Sequence, residues 1–158
     1  MDRFRRLLLV ACCSLGVAGA MAADEPAKRK FMVGFAQDTM ANDWRAAQVR
    51  ELKEALAAHA DVEFIHTDAK GDTARQAQDI EDLAARGVDV LLTSPRDSEL
   101  LREPIARVYR KGIPVILLSR RVSGDEFTQF ISTDNQAIGR QAARYLAQRL
   151  GGKGRIFM

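Results

Sequence analysis

The sequence predicts an α/β protein built on a doubly wound parallel sheet. Three observations carry that prediction. Short apolar runs alternate with stretches of helical periodicity between residues 31 and 150, which is how βαβ units with right-handed crossovers read. Two of the runs, Val88-Asp89-Val90-Leu91-Leu92 and Ile113-Pro114-Val115-Ile116-Leu117-Leu118, are almost unbroken in apolar residues, as strands covered on both faces are. Polar loops follow the runs, at the carboxyl ends where such sheets bind ligands.

The first strand is Phe31 to Phe35. A polar loop from Gln37 to Asp43 follows, and helical periodicity starts at Trp44, the only Trp of the chain. Gln37, Asp38, Thr39, Asn42 and Asp43 form a hydrogen-bonding set beside a flat apolar face, which suits a small polyhydroxylated ligand. The first helix is expected from Asp43 to His59, with Asp43 as N-cap and Val49, Leu52 and Leu56 on its buried face. Val62 to His66 alternates as a second strand and runs on to Thr67 and Asp68. Asp72 or Thr73 caps a second helix, whose buried stripe is Ala77, Ile80, Leu83 and Ala84. Arg86 and Gly87 end it with a left-handed cap.

Val88 to Leu92 is the third strand, and Thr93-Ser94-Pro95-Arg96-Asp97 leaves it. Leu101, Ile105 and Val108 share a face of the third helix. Pro104 fits only a first turn, so the regular helix starts near Arg102. Lys111-Gly112 closes it. Ile113 to Leu118 is the fourth strand, with Pro114 at its start. Phe127 to Ile131 is a fifth strand. Thr133-Asp134-Asn135 caps a fourth helix with Ile138, Ala142, Tyr145 and Leu150 on its apolar face. Gly151-Gly152-Lys153-Gly154 is a joint, and Arg155 to Met158 reads as the start of another strand.

The N-terminus reads as a secretory signal, residues 1–23. Arg3, Arg5 and Arg6 precede the apolar core Leu7 to Ala18, and small residues from Ala20 to Ala23 offer a cleavage site. The core is short for a membrane anchor. Leu9-Val10-Ala11-Cys12 fits a lipobox loosely, but cleavage there would leave only Leu7 to Ala11 as apolar core. Residues 24–30 form a linker. The net charge of +3 falls to +1 without residues 1–23, with 21 basic against 20 acidic side chains. The basicity therefore belongs to targeting and gives no support for nucleic-acid binding. Both cysteines, Cys12 and Cys13, lie in the signal. The mature chain then holds no disulfide, thiolate metal site or cysteine nucleophile. Such an exported protein fits a bacterial periplasm.

Four local patterns recur in order: Val33-Gly34-Phe35-Ala36-Gln37 leading to Asn42-Asp43-Trp44-Arg45; Gly87-Val88-Asp89-Val90-Leu91; Gly112-Ile113-Pro114-Val115-Ile116; and Ser132-Thr133-Asp134-Asn135. With these the chain from Lys30 to Met158 resembles the periplasmic sugar-binding proteins of ABC importers. These are the ribose and galactose type, which share their core with the effector domains of LacI-type repressors. Gln37 to Arg45 looks closest to the galactofuranose-type binders. The resemblance implies a flavodoxin-like strand order, 2-1-3-4-5, and two lobes hinged around a ligand. Residues 31–150 would be the first lobe, and residues 151–158 the hinge and the start of a truncated second lobe. It implies a sugar-type ligand, an ABC permease as partner, a monomer at full length, no cofactor and no chemistry on the ligand.

Each candidate residue has a functional and a plainer reading. Trp44 stacks on a sugar ring or packs the first helix onto the sheet. Arg45 donates to ligand hydroxyls or is a solvated first-turn residue. Arg120 lies just beyond the fourth strand, where a guanidinium can hold two ligand oxygens. The resembled family has an Asp-Arg pair there. Here Ser119 stands in place of the Asp, which opens the site to an anionic or modified ligand. Arg121 reads as a surface charge. Ser94 or Arg96 meets the ligand, and Asp97 caps the third helix. Asp134 and Asn135 either cap or bind. Asp38 and Gln37 are hydroxyl partners or loop residues, and Asn42 belongs to the same loop. His59 and His66, the only histidines, form no metal pair and read as structural.

A sensor module feeding a chemoreceptor or histidine kinase would share this fold. A LacI-type regulator is opposed by the signal and by the lack of a helix-turn-helix before residue 31. A flavodoxin-like enzyme would need a phosphate-cradling first loop, and Gln37 to Asp43 contains no glycine.

Overall fold

The computed structural model describes residues 29–155. The readings placed on the signal, on most of the linker and on Ile156-Phe157-Met158 lie outside the described residues. Within them the elements are β1 (Phe31–Gln37), α1 (Asp43–Leu56), β2 (Val62–Asp68), α2 (Thr73–Ala85), β3 (Val90–Thr93), α3 (Arg102–Arg110), β4 (Val115–Leu118), β5 (Gln129–Ile131) and α4 (Asn135–Arg149). Every strand pairing is parallel, and the order is β2-β1-β3-β4-β5. The α/β class, the doubly wound sheet and the order 2-1-3-4-5 are as the sequence predicts.

β1 shows why helices must lie on both sides. Successive side chains point to opposite faces. Val33 and Phe35 join Val49 of α1 and Leu92 of β3 in one cluster. Ala36 joins Ile80 and Leu83 of α2, Leu91, Ile105 and Leu117 in the other. So α1 covers one face, and α2 with α3 covers the other. The α1 face is covered unevenly. Ile116 and Leu118 of β4 are half-buried, and Ile131, in register with Leu118, is 54% exposed.

Gly34 sits where β1 meets the chain entering β3. A Cβ there would lie 2.8 Å from Val88 Cγ1, and Val88 is itself buried. Gly34→Ala should therefore cost about 1–3 kcal/mol of stability through overpacking. A urea unfolding titration measures it, and an unchanged midpoint would show that Val88 yields freely.

Several boundaries differ from the expectation. β1 extends to Gln37, which pairs in register with Asp68, so Gln37 is strand and not loop. The N-cap of α1 is Asn42, not Asp43: its side chain accepts from Arg45 N at 2.9 Å. α1 ends at Leu56, because His59 N bonds back to Leu56 O and turns the chain. β3 starts at Val90, since the Asp89 carboxylate accepts from Met32 N at 2.7 Å. β4 starts after Pro114, which has no N–H to donate. β5 starts at Gln129, since Thr128 Oγ1 accepts from Val115 N at 3.0 Å in place of a main-chain oxygen. Asp72 caps α2 through Ala74 N and Arg75 N.

α4 forms where the periodicity places it, with its apolar face open: Ile138 is 55% exposed, Tyr145 60% and Leu150 43%. No residue of α4 is buried among the described residues. Helical periodicity defines an apolar face without defining what covers it.

Candidate functional site

The strand order reverses its direction of growth between β1 and β3, and the crevice at such a switch point is where open α/β sheets hold ligands. The residues leaving these strands at that edge are Asp38 after β1, Ser94 after β3 and Ser119 after β4. α1 starts beside them and contributes Arg45 one turn in.

A continuous polar network joins these elements. Arg45 is 9% exposed, so it is not the solvated first-turn residue of the alternative reading. Its Nη1 donates to Ser94 Oγ across the crevice and to Gln48 Oε1 at 3.2 Å. Its Nε lies 3.4 Å from Asp38 Oδ1, an ion pair without hydrogen-bond geometry. Arg120 Nη2 donates to Asp38 Oδ2 at 2.5 Å, and its Nη1 reaches Arg96 O at 3.3 Å. Gln48 Nε2 donates to Ser119 Oγ at 3.0 Å. Gln37, fully buried, donates to Gln48 Oε1 at 3.2 Å and accepts from Asp38 N at 3.0 Å. Arg120 thus finds its carboxylate at the end of β1 rather than in the residue beside it.

The electrostatics follow from the geometry. Burial pushes the Arg45 guanidinium below its usual range, the charge of Arg120 pushes it further down, and Asp38 opposes both. Asp38 is 2% exposed and serves both arginines. Its carboxylate lies beneath the surface and positions the two guanidiniums. Gln37 likewise lies beneath the surface and braces α1. Ser119 holds a left-handed backbone, φ 65°, an outlier of the kind that collects at binding sites.

Six of the ten sequence-picked residues meet in this network: Gln37, Asp38, Arg45, Ser94, Ser119 and Arg120. Trp44 is 61% exposed beside it, so it does not pack α1 onto the sheet. Asn42 is committed to the cap. Asp134 and Asn135 share no hydrogen bond with the network among the described residues. Asp134 caps α4 through Ala137 N at 2.8 Å, and Asn135 Oδ1 accepts from Thr133 Oγ1 at 2.9 Å. Asp97 accepts from Glu99 N and Leu100 N, in the turn before α3. Arg96 is exposed. Arg121 is exposed over the Phe127 ring.

Two residues of the arrangement escaped the sequence. Gln48 bridges Arg45 and Ser119. Its signal is its place one turn beyond Arg45. Gln76 is fully buried and ties Ala36 O, Thr93 Oγ1, Ser94 O and Arg96 N together. Its signal is its place in line with Ile80 and Leu83 on the buried stripe.

Two cavities of about 330 Å³ open at the opposite edge, one by Arg29, Phe31, Asp61 and Asp89, the other by Tyr109, Pro114 and Thr128. They lie at the amino ends of the strands, where no convergent network of buried polar side chains meets them. The open crevice is the better candidate for this reason.

Comparison with known proteins agrees with this geometry. The model of the periplasmic binding protein domain family matches residues 33–158. The ribose import binding protein of Bacillus subtilis is 28% identical over 144 residues, which cover 91% of this chain and 47% of that protein. A fructose-binding periplasmic domain of a hybrid two-component system superposes with a TM-score of 0.73 at 33% identity, covering 78% of this chain and 41% of that one. A galactofuranose-binding protein superposes with a TM-score of 0.70 at 22% identity, covering 78% and 42% of the two chains, a likeness of fold. The chain spans about half the length of the curated relatives it matches.

Proposed function

The chain belongs to the family of periplasmic binding protein domains, and from that premise we propose that it captures a sugar or sugar-like ligand for an ABC importer, as the first lobe of a solute-binding protein. Residues 31–150 are the lobe, residues 151–158 the hinge and start of a second lobe, and residues 1–30 the cleaved signal and linker. The protein works in the periplasm, as a monomer at full length, and delivers its ligand to a membrane permease without chemical change. Ligand contact with both lobes selects the closed form.

The observation that carries this reading is the convergence of Arg45, Ser94, Ser119 and Arg120 at the switch-point edge, with Trp44 exposed beside them. Polar side chains orient hydroxyls there, and an open aromatic face covers ring hydrogens.

Trp44 is the only Trp, so its emission reports ligand directly. Titration of the intact protein with a sugar panel should shift that emission at saturation. Trp44→Ala and Arg120→Ala should each weaken calorimetric affinity by about 1–3 kcal/mol. Unchanged affinity in both variants would remove the site from this crevice.

A second reading, a sensor for a histidine kinase or chemoreceptor, is favoured by one observation: the likeness at 33% identity to a periplasmic domain of a hybrid two-component system. Pull-down of a permease or of a kinase ectodomain by the loaded protein separates the two outputs.

A further inference from the structure

We propose that the ligand is a sugar acid, a sugar carrying one carboxylate, held by Arg45 and Arg120. The inference rests on the sugar-capture reading and adds the class of sugar.

The charges of the network do not cancel. Arg45 and Arg120 bring two guanidiniums, and Asp38 brings one carboxylate. Gln37, Gln48, Ser94 and Ser119 are neutral. Asp68, Asp72 and Asp97, at the same edge, each turn a carboxylate oxygen to backbone N–H groups. Those three carboxylates keep their charge but belong to turns and caps outside the network, and within the network one positive charge is left over.

Hydrogen-bonding capacity is lopsided in the same sense. Asp38 is 2% exposed: Oδ2 accepts from Arg120, and Oδ1, which has no hydrogen bond, is buried 3.4 Å from Arg45 Nε, so neither oxygen is open to a ligand hydroxyl at the surface of the lobe. Ser119 Oγ already accepts from Gln48, which leaves its hydroxyl proton to donate. Arg120 Nε is buried with no hydrogen-bond partner among the described residues. Two guanidiniums against one buried carboxylate weight the crevice toward donors. A neutral sugar ring presents hydroxyls that need acceptors as well as donors. A carboxylate presents acceptors only, and guanidinium N–H groups match its two oxygens. Burial first, and then the charge of Arg120, push the Arg45 guanidinium below its usual range, and an arriving anion would offset both. One surplus charge matches a carboxylate better than a phosphate monoester, which carries about −1.5 to −2.

The test is isothermal titration of the intact protein, at low ionic strength, with matched pairs: D-glucose and D-glucuronate, D-galactose and D-galacturonate, D-ribose and D-ribonate, with galactose 6-phosphate alongside. One acid should bind about tenfold or more tighter than its neutral partner. Arg120→Gln should remove that preference, and Ser119→Asp should reverse it by restoring an acceptor. A neutral sugar bound as tightly as its acid would overturn the inference and leave sugar capture standing. A preference for the phosphate would overturn the single-charge match. No binding by any member would overturn both readings.

Discussion

Asp38→Ala is expected to lower the stability of the lobe by about 3–5 kcal/mol, the cost of leaving buried charges unpaired, and to abolish ligand binding. The side chain of Asp38 is 3% exposed, and those of its partners Arg45 and Arg120 are 11% and 36% exposed. Water can take over part of the solvation of Arg120, which places the effect toward the lower end of that range. It can do little for Arg45. Removing the carboxylate leaves two like charges facing each other across the crevice, and Arg45 then loses its hold beside Ser94. Asp38→Asn keeps the shape and an acceptor but not the charge, so its loss should fall between wild type and Ala. Urea unfolding followed by circular dichroism gives the stabilities, and titration calorimetry gives the binding. A loss below about 1 kcal/mol for the Ala variant, the range of an exposed ion pair, would mean that water has replaced the carboxylate and that the network is not held by charge.

Gln76→Leu is expected to destabilise by about 2–6 kcal/mol, because it orphans two main-chain groups at about 1–3 kcal/mol each. Gln76 Nε2 donates to Ser94 O at 3.1 Å, and Gln76 Oε1 accepts from Arg96 N at 3.0 Å. Ala36 O, its third main-chain contact, keeps the Thr93 hydroxyl at 2.9 Å. The damage therefore falls on the loop after β3, which carries Ser94 and supplies Arg96 O to Arg120. Binding should weaken together with stability. Amide exchange at Arg96 should quicken more than at Leu91 in the strand core. Equal protection at both in the variant would show that the loop is held by other means.

The fold was legible because burial on two faces writes itself into sequence. Val33, Phe35, Leu91, Leu92, Val115 and Leu117 leave strands few polar positions, and the helical stripes of α2 and α3 mark what covers them. The site was legible in part because loops after strands are few and polar. Gln37 was misplaced for the same reason: a polar residue at a strand end looks like loop, and only its register with Asp68 shows otherwise. Asn42 and Asp43 are adjacent capping residues, and only the extended backbone of Asn42, with its side chain on Arg45 N, shows which of them caps. Gln48 and Gln76 were invisible because residue type alone does not state that an amide is buried. The exposed face of α4 could not be foreseen, since an amphipathic pattern is silent about its partner.

Ser119 has one more consequence. Its N–H donates to Ile131 O at 2.8 Å, and the N–H of Arg120 donates to Leu118 O at 2.7 Å, so the bend after β4 is held by main chain. The Ser119 side chain takes no part in strand pairing. Its φ of 65° shuts out branched and bulky residues and tolerates glycine and short polar ones, Asn and Asp above all. The alphabet open to this position is thus filtered by backbone shape toward residues able to bind hydroxyls or anions. Under the proposed function, a substitution within that alphabet is expected to change the charge presented to a ligand while the main-chain bonds of the sheet stay as they are. A change of specificity at this position then needs no rebuilding of the scaffold.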